Sequence, residues 1–262
     1  MTALRRVWSV TRRWGERVSR AGRKLHGARP AIRIAAIAAI ILLGLPTINL
    51  VYHVLRKPTE MFAFISSKFN KTPTKTWRDY GSLFREYSTA VISPELLAAL
   101  AQVEGAGNPV AKTYWRWQLS WNPLALYQPA SSAVGMFQMT DAAFAEARRF
   151  CIRDHIVIED GCRFNWLYIR VVPSHAIQLA AAYLDHNVGR ILASRPNGKP
   201  SAEHKREVAA IVHLCGAGSA NAFAQRGFHL LAAERCGEHD VADYLARVRA
   251  MQQEFRRLAA NP

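Results

Sequence analysis

The sequence predicts a mostly α-helical domain behind a single N-terminal transmembrane helix, and three observations carry that prediction. A run of 22 residues from Ile34 to Leu55 holds no Asp, Glu, Lys or Arg and is flanked by basic residues. Beyond it, apolar residues recur at helical spacing between Ser-Pro, Gly and Asn-Gly punctuation, with no strand-rich stretch and no internal repeat. Four cysteines, Cys151, Cys162, Cys215 and Cys236, all lie after the apolar run. With 262 residues, 50% hydrophobic and 21% charged, the chain has room for one sizeable domain plus extras. That composition excludes a disordered or collagen-like chain.

The charge is unevenly spread. Of the formal net +16, residues 1–33 carry +9, with ten Arg and Lys against Glu16 alone. Residues 1–32 read as a basic cytoplasmic tail, either disordered or laid on an anionic leaflet by Trp8 and Trp14. Residues 33–55 are long enough for a ~30 Å hydrocarbon core. A buried core helix would not be framed by Arg33, Arg56 and Lys57. A cleavable signal peptide would have a shorter basic region, a shorter apolar core and a small-residue cleavage site. The segment therefore reads as an uncleaved signal anchor whose Pro46 a membrane helix tolerates. Basic residues before the span outnumber those just after it, which puts the N-terminus in the cytoplasm and the rest outside. The expected location is a bacterial inner membrane, crossed once, with the main domain periplasmic.

Residues 56–76 read as a stalk and 77–262 as the domain. A helix is expected from Trp77 to about Ser88. Ser93-Pro94-Glu95 starts another, with Ser at the N-cap, Pro at the first turn and Glu at the positive dipole end. It runs through Leu96, Leu97, Leu100 and Ala101 to Glu104 and stops at Gly105. Residues 108–134 have no regular period but hold Trp115, Trp117, Trp121 and two Asn-Pro pairs. Helices are then expected at about 140–150, from a Ser174 cap to 188, and at 203–214, 219–233 and 240–260, with Tyr244 on the core face of the last. Residues 151–173 read as a cysteine-bounded loop with short extended pieces and 195–200 as a Pro-Gly loop. In an oxidising compartment, chain order favours the disulfides Cys151–Cys162 and Cys215–Cys236. A zinc set of His213, Cys215, Cys236 and His239 is the competing reading, but its spacing matches no common module. No metal or other cofactor is expected.

Glu104 is the leading candidate for chemistry. A carboxyl at the end of an apolar helix faces the negative end of the dipole, and burial adds to that. Both favour the protonated form that a general acid needs. A solvated Glu at a frayed helix end is the plainer reading of the local sequence. The remaining histidines form no nucleophile–base or metal pattern, and no phosphate-binding glycine loop is present.

Four motifs then occur in order: Val103-Glu104-Gly105-x-x-Asn108-Pro109, Gly135-Met136-Phe137-Gln138-Met139, Ala182-Tyr183-Leu184, and His213-Leu214-Cys215-Gly216-Ala217-Gly218. Together they resemble the soluble lytic transglycosylase family, over about residues 91–221, and the resemblance implies a lysozyme-like α-helical domain. It makes Glu104 the catalytic acid and base. It also puts Gly135, Met136 and Gln138 in the wall of the sugar groove, Tyr183 on a supporting helix, and Gly216 where backbone approaches the sugar. The family serine after Glu is Gly105 here, and the family Tyr-Asn falls at His213-Leu214, so His213 becomes the candidate polar contact. The second pair, Asn122-Pro123, fits the family spacing to Gly135 better than the first. That implies an insertion of about 18 residues just after Glu104, in which Trp117 and Trp121 stack on sugars, form a lid, or pack in a core.

The resemblance implies non-hydrolytic cleavage of the β-1,4 bond between N-acetylmuramic acid and N-acetylglucosamine, leaving a 1,6-anhydro end. A lysozyme-type hydrolase would need a second carboxylate, and Asp141, Asp154 and Asp160 lie in no matching motif. An impaired wall-binding module is the other alternative. Expected partners are peptidoglycan glycan strands, the inner membrane, and in some roles a secretion or conjugation assembly. The exported part carries only +7 and no nucleic-acid motif, so no nucleic-acid partner is expected.

Overall fold

The computed structural model describes residues 29–62, 65–194 and 200–261. The basic tail expected over 1–32 falls almost wholly outside these residues, as does most of the Pro-Gly loop at 195–200. Seven helices follow one another among the described residues, with three two-stranded ribbons between them. The helices are α1 (Pro30–Arg56), α2 (Pro73–Glu86), α3 (Pro94–Gly105), α4 (Asp141–Ala147), α5 (Pro173–Ala193), α6 (Ala202–Gln225) and α7 (Val241–Ala260). The strands are β1 (Trp115–Trp117) with β2 (Tyr127–Pro129), β3 (Cys151–Arg153) with β4 (Ile156–Ile158), and β5 (Arg235–Cys236) with β6 (His239–Asp240). The mostly α prediction holds.

The chain divides into two compact units. One contains α1 and residues 117–128, the other residues 57–116 and everything from 129 on. In the first unit, α1 is long and apolar enough to cross a membrane, and almost all its side chains are exposed. Leu124 O accepts hydrogen bonds from Asn49 Nδ2 at 3.1 Å and His53 Nε2 at 2.9 Å.

The second unit is built around α3. Leu96 through Ala101 are fully buried, because the helix is apolar all round and neighbours cover every face. Helices α2 and α7 pack on it, α5 packs on α6, and α4 packs on α5. Each buried leucine contributes about 2 kcal/mol. Ser93 caps α3 as predicted, accepting from Leu96 N at 3.3 Å, and Thr140 caps α4 by accepting from Ala143 N at 3.4 Å. The predicted cap at Ser174 is corrected. Helix α5 starts at Pro173 after Val172, whose side chain makes no capping bond, and it continues to Ala193. The last segment of α6 also stops earlier than predicted, at Gln225, and the chain then forms the β5–β6 ribbon.

Both predicted disulfides are present, Cys151–Cys162 and Cys215–Cys236, each with Cα atoms 5.6 Å apart. The first closes the β3–β4 ribbon, and the second ties the β5–β6 ribbon to the middle of α6. With Cys215 and Cys236 joined to each other, neither offers a thiolate to zinc.

The segment expected as a stalk forms two short turns, Pro58–Phe62 and Ser66–Phe69, and hydrogen-bonds into the domain. Glu60 is buried, paired with Lys57 at 3.2 Å and accepting from Trp115 Nε1 at 2.7 Å. Ser66 is buried and donates to Val110 O at 2.9 Å, which fastens this segment beside the end of α3.

Candidate active site

Glu104 stands in the last turn of α3, and the helix ends there for stated reasons. Ala106 turns left-handed at φ 49° and its N–H returns to Ala101 O and Gln102 O. Gly107 follows at φ 62°, and a Cβ there would lie within 2.1 Å of Thr76 Oγ1, so only glycine fits. Lys71 N donates to Ala106 O at 2.8 Å and Thr76 Oγ1 to Gln102 Oε1 at 2.7 Å. These bonds fix the direction in which Glu104 leaves the helix.

Two side chains from distant helices meet its carboxyl. Tyr244 of α7 donates its hydroxyl to Glu104 Oε1 at 2.6 Å, and His213 Nε2 of α6 lies 3.8 Å from the same oxygen. The Glu104 side chain is 18% exposed and that of His213 8%, so the carboxyl is recessed but reachable. Burial pushes the Tyr244 hydroxyl well above the ordinary tyrosine range, with the Glu104 charge adding to it. Tyr244 therefore stays a proton donor. Sequence reasoning placed it on a core face and missed this contact. The usable signal was a hydroxyl among Val241, Leu245 and Val248, since a buried tyrosine normally needs a polar partner.

Two clefts are lined by members of this cluster, one by His213 and the other by Glu104. One, of about 250 Å³, is lined by Gln138, Met139, Thr140, Tyr183, His213 and Gly216 among others. The other, more open and about 400 Å³, is lined by Glu104 itself with Gln102, Asn108, Ala111 and Lys112. The loop between them is held from below. Gln138 turns left-handed at φ 44°, and its Nε2 donates to Gly135 O at 2.8 Å and Ala111 O at 3.1 Å. Its amide donors are thus used internally, and Oε1 remains as the side chain's acceptor. Gly135 and Met136, expected on the groove wall, lie beneath it: Met136 is fully buried, and a Cβ on Gly135 would meet Arg170 O at 2.4 Å. Tyr183 and Gly216 do line the cleft.

Gly105 explains the missing serine. A Cβ there would sit 2.8 Å from both Cα and O of Met136, so the backbone of the Gln138 loop occupies that space. The two Asn-Pro pairs have different surroundings. Asn108 is buried beside Glu104, donating to Ser66 O at 2.7 Å and Asn70 Oδ1 at 2.9 Å, whereas Asn122 is exposed. Lys112 pairs with Val134 in an antiparallel bridge, which brings together the two ends of the 113–133 segment. Trp117 and Trp121 belong to the unit of α1, and both are exposed. Asp141, Asp154 and Asp160 are exposed, Asp141 being paired with Arg170 at 2.6 Å.

The transglycosylase SLT domain family matches residues 83–251, about two thirds of the chain. The chain belongs to that family. The matched stretch includes Glu104, Gln138, Tyr183, His213, Gly216 and Tyr244, and so takes in α7, beyond the reach of the four sequence motifs. No curated protein matches the chain at a significant level. Membership of the SLT family carries peptidoglycan as substrate class and glycosidic-bond lyase chemistry at the level of the family.

Proposed function

We propose that this chain is a lytic transglycosylase held in the inner membrane by α1, with its SLT domain in the periplasm and Glu104 as its single acid and base. Protonated Glu104 gives its proton to the oxygen between N-acetylmuramic acid and N-acetylglucosamine as the C1–O bond breaks. The acetamido oxygen of the same muramoyl residue closes on C1 and carries the charge, so no second carboxylate is needed. Glu104, now a carboxylate, takes the proton of the C6 hydroxyl, and O6 displaces the acetamido oxygen to leave the 1,6-anhydro end. The Tyr244 hydroxyl occupies Oε1, which leaves Oε2 for proton transfer. Gln138 Oε1 and the half-buried Tyr183 are the polar groups for holding the sugar in the smaller cleft.

One observation carries this reading. Among the described residues, Glu104 is the sole acid in the walls of the two clefts. A hydrolase would need a second carboxylate opposite it. The impaired-module reading rests on Gly105, His213 and Leu214. It loses support at the first two, because Gly105 accommodates backbone and His213 brings an imidazole to the carboxyl. The test is Glu104→Gln in the full-length protein, with release of muropeptides from purified peptidoglycan as the measurement. Loss of the proton donor lowers release by at least ~100-fold. Unchanged release would remove Glu104 from the chemistry.

A further inference from the structure

The loop at 117–128 reads Trp-Gln-Leu-Ser-Trp-Asn-Pro-Leu-Ala-Leu-Tyr-Gln, twelve residues without a charged side chain. Its largest apolar groups point outward. Trp121 is 104% exposed, Leu119 101% and Trp117 78%, with the Trp117 ring 4.7 Å from that of Tyr127. Large apolar groups do not gather on a surface without a partner for that surface.

The loop is fastened to α1. Asn49 and His53, one helical turn apart and therefore on one face, both hydrogen-bond to Leu124 O. Asn49 is buried while its neighbours Ile48, Leu50 and Val51 are exposed. An amide inside an apolar span needs a polar partner, and the loop carbonyl provides it. The exposed apolar residues around Asn49 give the depth of this level: it is still within the apolar run, and Arg56 and Lys57 mark its end.

We infer that residues 117–128 form a membrane-interface loop, with Trp117, Leu119 and Trp121 seated in the headgroup–acyl boundary of the bilayer that α1 crosses. Tryptophan is suited to that boundary because its ring is apolar and its N–H is polar. The inference rests on the reading of α1 as a membrane anchor, and the two are tested separately. Full-length protein in phosphatidylcholine–phosphatidylglycerol vesicles is first floated on a density gradient, which reports the anchor alone. Tryptophan fluorescence of the wild type is then compared with that of Trp117→Phe/Trp121→Phe in vesicles whose acyl chains carry bromine at shallow or deep positions. Shallow bromines quench the wild type, and the double variant loses the part of that quenching that Trp117 and Trp121 contribute. Trp77→Phe, at a ring packed on Phe84 and Phe255, retains it. If the double variant fails to fold, Trp121→Leu, which keeps apolar bulk, shows a partial loss. Equal quenching of wild type and double variant in vesicles that float would overturn the inference and leave the anchor standing. A loop signal that responds to added glycan fragments and not to bromine would overturn it in favour of sugar binding. Protein that does not float would remove the anchor and the loop together.

Discussion

Gly105 controls how closely the end of α3 approaches the loop that carries Gln138. Restoring a serine there puts a side chain against Met136 Cα and O, at 2.8 Å from its Cβ alone. We expect Gly105→Ser to lower unfolding free energy by about 1–3 kcal/mol in denaturant titration, as overpacking does. It should also reduce activity, because the strain falls one residue from Glu104. An unchanged midpoint would mean that the close approach does not exist. Tyr244 acts by a different route, through one hydrogen bond to a group that becomes charged during the reaction. Such bonds contribute about 1.5–3 kcal/mol, so Tyr244→Phe should lower kcat ~10–100-fold while leaving KM nearly unchanged. Because burial keeps its hydroxyl protonated, Tyr244 adds no alkaline limb to the pH–rate profile of the wild type below the ordinary tyrosine range.

At the scale of elements, α6 is interrupted at the cleft. Its helix breaks at Gly216, where φ is 81° and ψ 170°, so His213 and Leu214 end one helical segment at the cleft and a second segment leads away. The Cys215–Cys236 disulfide stands beside that break and anchors the β5–β6 ribbon to it. We expect the Cys215→Ser/Cys236→Ser variant to lose about 3 kcal/mol of stability, which thermal unfolding under matched conditions would measure. Equal stability would mean that the ribbon is held by other contacts. Helix periodicity, the Ser93 and Thr140 caps and both disulfide pairings were legible in the sequence, because each depends on residues close in the chain. The Tyr244–Glu104 bond was not legible, since it joins residues 140 apart. The short extended pieces expected in the cysteine-bounded loop are β3 and β4, whereas the other two ribbons were missed because their strands are two or three residues long, too short for an alternating pattern. Ser174 looked like a cap, yet Pro173 already supplies the fixed first-turn φ, which places the serine inside the helix.

At the scale of the molecule, sequence and structure agree on an apolar N-terminal helix followed by a mostly α-helical SLT domain. The different settings of the two Asn-Pro pairs were not legible in the sequence, because chain spacing does not tell a buried asparagine from an exposed one: Asn108 is buried and Asn122 exposed. The central claim is that one carboxyl performs the whole reaction and that oxygen O6 of the sugar, not water, ends on C1. Digestion of purified peptidoglycan in water enriched in heavy oxygen, followed by mass spectrometry of the released muropeptides, tests this most directly. The account predicts anhydro ends without the heavy isotope. Reducing ends that carry heavy oxygen at C1 would contradict it.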